Sequence, residues 1–123
     1  MSTRRLSTKS PALLAMAAAG AALAAGAAVG ASRPTKAQML AGKKVYASAG
    51  CGKCHALKAA HSTGSVGPNL NNIKPPMSKI VNQVTNGGRF MPPFGQSAGG
   101  SLTATQIKNV SAFVYGAEHH LIS

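Results

Sequence analysis

Three stretches of the chain repeat apolar residues at helical spacing, and Gly/Pro-rich segments separate them. The first opens at Thr35, with Gln38 three residues on in a capping-box pattern. It carries Met39, Leu40, Val45 and Tyr46, and Gly50 stops it after about Ala49. The second is short, about Met77 to Asn86, with Ile80, Val81 and Val84 on one side and Gly87-Gly88 at its end. The third opens at Thr103, again with a glutamine, Gln106, three residues later. Ile107, Val110, Phe113 and Val114 continue it, and it fades between Gly116 and Glu118. No alternating strand pattern and no internal repeat stands out. The pattern predicts an all-α domain.

A fourth apolar run, Ala12 to Ala31, belongs to a different kind of segment. It follows a basic start, Arg4, Arg5 and Lys9, and ends in Val29-Gly30-Ala31, small residues that a signal peptidase accepts. Residues 1–31 therefore read as a signal peptide cut after Ala31, with 32–123 as the domain. The competing reading is an uncleaved membrane anchor, because twenty residues of helix reach about 30 Å. Residues 12–31 would then be a tether, but they are mostly Ala and Gly, so spanning would be marginal. Thr3-Arg4-Arg5 partly fits a twin-arginine signal. Ser7-Thr8 stand where that signal wants a hydrophobic pair, and the general secretory route fits better. Either way the domain is expected to be periplasmic or otherwise extracytoplasmic.

Composition leaves the domain short of core. The 123 residues include no Trp, three Phe and two Tyr. A domain this small and this poor in large apolar residues needs extra apolar mass or a staple. Charge is lopsided: Glu118 is the one acid, against 13 Lys and Arg. The basic residues are scattered rather than clustered, and export argues against nucleic acid. A partner with an acidic docking surface is the simpler expectation. An acidic habitat, where carboxylates make poor ion pairs, would also explain their scarcity.

The chemistry sits in Cys51-Gly52-Lys53-Cys54-His55. Two thiols three residues apart can each add to one vinyl group of a single haem, and the adjacent histidine is placed to bind its iron. A thiol–disulfide site using Cys51 and Cys54 is the rival reading, but it wants a strand–helix–strand setting and gives His55 no required role. A zinc site would need two further ligands, and the remaining histidines lack the spacing. A covalent haem also supplies the missing apolar mass.

With the attachment motif come Gly67-Pro68-Asn69-Leu70, then Phe90-Met91-Pro92-Pro93-Phe94, then Leu102-Thr103 before the last helix. In this order the pieces resemble the small class I c-type cytochromes of bacteria over residues 35–118. The resemblance implies a cytochrome c fold of three or more helices around one haem c, with N- and C-terminal helices crossing. It implies thioether bonds from Cys51 and Cys54, with His55 and Met91 as axial ligands of the iron. Pro68 would accept the His55 imidazole N–H, and Phe90 and Phe94 would flank the haem. Gly42 and Tyr46 would pack on Val110 and Phe113. Two features depart from the pattern: no Trp is present to reach a propionate, and the bulky pair Arg89-Phe90 precedes Met91. Met77, Met39 and His61 are rival sixth ligands. Met91 has the better setting, a Gly/Pro-rich loop that can lie against a haem face.

With both axial positions filled, the iron would have no open site for substrate. The expected function is a monohaem electron carrier between redox protein partners, cycling Fe(II) and Fe(III). The alternatives are a membrane-anchored cytochrome subunit of a larger oxidoreductase, a haem with an open sixth site and, more remotely, the thiol oxidoreductase.

Overall fold

The computed structural model describes residues 33–123; the expected signal or anchor, 1–31, lies outside them. Helix α1 covers Lys36–Ser48, α2 Met77–Asn86 and α3 Ala104–Glu118. A two-residue antiparallel pair, β1 (Ala56–Leu57) and β2 (Ser62–Thr63), follows the cysteine motif, with Ala56 opposite Thr63 and Leu57 opposite Ser62. Single turns of 3₁₀ helix occupy Cys51–Lys53, Lys58–Ala60 and Gln96–Ala98.

The helix starts follow from local chemistry. Thr35 Oγ1 accepts from the Gln38 N–H at 3.1 Å, and Gln38 Oε1 accepts from the Thr35 N–H at 2.9 Å. Thr103 and Gln106 repeat the reciprocal pair at 3.2 and 2.9 Å. Each box satisfies two N–H groups that a helix start leaves orphaned, and a cap of this kind is worth about 1 kcal/mol. Helix α2 has no side-chain cap; Pro76 precedes it in extended conformation.

Helices α1 and α3 cross with little between them. A Cβ on Gly42 would run into the backbone carbonyl of Asn109 and the Cβ of Phe113, so only glycine lets the two backbones come this near. One turn on, Tyr46 meets Phe113 edge to face, with ring centroids 5.6 Å apart at 72°. The core is Tyr46, Leu57, Ile80, Val110, Phe113 and Val114. Buried positions of α1 are Met39, Gly42 and Tyr46, whereas Leu40 is 45 % exposed. The hairpin that the sequence did not announce is too short to carry an alternating pattern. It turns the chain back beneath the cysteine motif.

Candidate functional site

The end of α1, the cysteine turn, the 64–76 loop, α2, the loop around Met91 and the inner face of α3 enclose one cavity of about 1030 Å³. Its wall is largely aliphatic and aromatic. Cys51, Cys54, His55, Pro68, Met91 and Phe94 all lie on it, brought together from positions up to 43 residues apart.

His55 is positioned from two sides. Its Nδ1 donates to the Pro68 carbonyl at 2.8 Å. A carbonyl can only accept, so the ring proton sits on Nδ1 and the lone pair on Nε2, which suits a metal ligand. The His55 backbone carbonyl accepts from Ser62 Oγ at 2.9 Å and lies 3.3 Å from the Tyr46 hydroxyl, which is itself 3.0 Å from Ser62 Oγ. Ser62 also accepts from the Leu57 N–H at 3.1 Å. One serine thus ties α1, β1 and His55 together. Gly67 adds contact from below: a side chain there would overlap the imidazole, with Nδ1 2.8 Å from the Cβ position.

The 64–76 loop that presents Pro68 is laced down by its own backbone. Gly67 N–H donates to Cys54 O at 2.8 Å, and Leu70 N–H to Ala56 O at 3.0 Å. Asn71 Oδ1 accepts from the Lys58 N–H at 2.8 Å. Met91 is presented by a tight turn in which its N–H and carbonyl exchange hydrogen bonds with Gly88, both at 2.9 Å. Gln83 of α2 points its Nε2 at the Met91 sulfur, 3.8 Å away.

Among the described residues, Met91 is the one methionine on the cavity wall and His55 the one histidine. Met77 begins α2 away from the cavity, Met39 packs against Gly116, and His61 is exposed in a left-handed turn with φ 51°. Phe94 is half-buried on the wall, its N–H bonded to Val84 O at 3.0 Å and its carbonyl to the Leu102 N–H at 2.8 Å. Phe90 is different. It lines the cavity but is 85 % exposed, so it stands at the mouth. Exposed Lys53, Lys79 and Arg89 share that rim, whereas Lys58 and Lys74 do not reach it.

The thiols do not resemble a redox pair. Burial pushes the Cys51 thiol above its ordinary value, whereas disulfide-exchanging cysteines are held low by a helix N-terminus or a neighbouring cation. No strand–helix–strand unit surrounds them among the described residues. Two half-buried thiols, a histidine with a free Nε2, a thioether and an apolar cavity of this size fit a covalent haem.

Sequence reasoning missed Ser62, Gln83 and Gly67 as positioning residues, and it gave Glu118 no place. Ser62 and Gln83 carry no motif. Gly67 stood inside a recognised motif without its reason being visible.

The family model for cytochrome C oxidase, cbb3-type, subunit III matches residues 37–114. Among solved structures, the chain is similar to the c-type cytochrome SorU from Sinorhizobium meliloti. The two are 29 % identical, and the match covers 68 % of this chain and 93 % of that one with a TM-score of 0.60. No curated protein matches the sequence. The fold is the all-α cytochrome c fold, the cofactor is one covalently bound haem c, and the function is electron transfer between redox partners. The chain belongs to the cytochrome c family described as cytochrome C oxidase, cbb3-type, subunit III.

Proposed function

We propose that this protein carries single electrons outside the cytoplasm, with its iron held by His55 and Met91 and its haem bonded to Cys51 and Cys54. The observation that carries this reading is the His55–Pro68 hydrogen bond at 2.8 Å, with Met91 on the same cavity wall. When bound, the haem supplies a one-electron Fe(II)/Fe(III) couple. Pro68 fixes the imidazole and raises its basicity. Gln83 steadies the Met91 thioether, which favours ferrous iron more than a second imidazole would. The apolar wall disfavours the added charge of the ferric state. Both effects set the potential in the upper part of the range that proteins give haem. Phe90 and the cations Lys53, Lys79 and Arg89 ring the mouth where a partner with an acidic surface would dock.

Residues 1–31 direct export in this reading, and 32–123 form the carrier. No helix among the described residues is long and apolar enough to cross a membrane. The family's description as an oxidase subunit favours one second reading, in which residues 12–31 stay as a tether and the domain serves a larger oxidoreductase. A visible spectrum with an intact-mass measurement tests both. It should show one covalent haem on a chain cut after Ala31; an intact leader and a co-purifying catalytic subunit would favour the tethered form. Met91→Ala should abolish the far-red ferric sulfur-to-iron band and let the ferrous protein bind carbon monoxide. Persistence of that band would hand the sixth position to another group.

A further inference from the structure

Glu118 is the one carboxylate side chain in the sequence, and α3 places it inside the protein. The residue is 2 % exposed, and neither carboxylate oxygen has a hydrogen-bond partner among the described residues. The end of α3 is closed by backbone alone, with the His119 N–H bonded to Tyr115 O at 3.0 Å. An ionised carboxylate here is shut off from bulk solvent and has no donor among the described residues, so a neutral acid is much the cheaper occupant. Desolvation accordingly pushes its pKa up to about 7. Glu118 also lies on the wall of the cavity that holds His55 and Met91, one helical turn beyond Val114, which lines it too.

We infer that Glu118 is a proton-binding site coupled to the haem, taking up a proton when the iron is reduced and releasing it when the iron is oxidised. The inference rests on the haem reading above. Glu118 would accept one proton from solvent on a carboxylate oxygen as ferric iron accepts one electron from the donor protein. The gained electron is matched by the gained proton, so the buried region keeps its net charge. Physically, a carboxylate in a water-poor cavity feels the extra positive charge of ferric iron strongly. The ferric state therefore favours ionised Glu118 and the ferrous state the neutral acid. By linkage, protonation of Glu118 must then favour reduction to the same extent.

Other titratable or charged groups face the same cavity. Tyr46 comes from α1, Lys53 and His55 with the two cysteines from the attachment segment, Lys79 from α2 and Arg89 from the Met91 loop. Tyr46 is engaged with Ser62, and burial raises its pKa further from neutrality. On the end of α3 itself, His119 stacks on Tyr115 with ring centroids 4.1 Å apart, and its Nε2 is buried without a partner. His119 is therefore the neighbouring side chain that the test must separate from Glu118, as it must the haem propionates.

The test is the reduction potential of the holoprotein measured from about pH 5 to about pH 9. The potential should fall with pH through a window around neutrality. The limiting slope is a tenfold change in the reduction equilibrium per pH unit, about 59 mV for one electron. The slope should vanish in Glu118→Gln and survive in His119→Gln. Infrared difference spectra of the wild type labelled with carboxyl-13C glutamate should show a label-shifted protonated carboxylic acid appearing on reduction. Glu118 is the one glutamate, so an unshifted band would belong to a propionate, and this decides the matter if Glu118→Gln fails to fold. A flat wild-type potential overturns the inference. So does a slope that persists in Glu118→Gln, which would assign the proton to another group, His119 or a propionate, or a slope lost in His119→Gln. Absence of a haem spectrum would defeat the haem reading itself; a haem protein with a pH-independent potential defeats only the role of Glu118.

Discussion

His55 is held by its ring and by its backbone through different neighbours. Pro68 orients the imidazole, while Ser62 and Tyr46 anchor the carbonyl of the same residue. Gly67 leaves no slack around the ring, so Gly67→Ala must push the imidazole or the loop aside. Overpacking of this kind costs about 1–3 kcal/mol. The variant should melt several degrees below the wild type and lose part of its bound haem, measured by thermal unfolding and haem absorbance. Glu118 sets a pH dependence of the opposite sign to most carboxylates. Its folded-state pKa is raised from 4.5 to about 7, so the fold favours the neutral acid. That stabilisation is fully present below pH 4.5 and is lost as pH rises through about 7. Glu118→Gln should therefore match the wild type near pH 4 and exceed it by about 1–3 kcal/mol near pH 8, measured by denaturant unfolding.

Helices in this chain begin where short-range chemistry says they should. Both capping boxes form because Thr and Gln three residues apart reach one another whatever the rest of the fold does. Thr103→Ala should cost about 1 kcal/mol in unfolding free energy, with no change in the visible spectrum. The crossing of α1 and α3 is harder to read from either helix alone. Gly42 is a weak residue inside a helix, and its value appears only against Asn109 and Phe113 of the other helix. Gly42→Val should therefore cost far more than its helix propensity implies, separating the crossing and lowering holoprotein yield as well as melting temperature. Leu40 shows the reverse case: an apolar residue in the right stretch that points out, because only part of α1 touches a neighbour.

Across the molecule, charge and burial are distributed as the proposed carrier would need. Glu118 lies inside while, among the described residues, every Lys and Arg but the half-buried Lys43 is exposed, with Lys53, Lys79 and Arg89 at the cavity mouth. If the partner presents the acidic surface proposed above, long-range attraction would speed encounter and be screened by salt. The bimolecular electron-transfer rate with an acidic redox protein should fall about tenfold or more from low to physiological ionic strength, measured by stopped-flow. A rate indifferent to salt would remove steering from the account. What the sequence determined unaided were features carried by near neighbours along the chain: the Cys51–His55 spacing, both helix caps, the helix limits and the excess of basic residues. Their physics spans about one helical turn, so spacing alone expresses it. Tertiary structure decided which methionine shares a wall with His55, that Ser62 and Gln83 brace His55 and Met91, and that Phe90 stands in the open. It also turned the single acid inward. Those outcomes depend on how α1 and α3 cross and where the loops close, and burial of a carboxylate is a property of its surroundings rather than of its place in the chain.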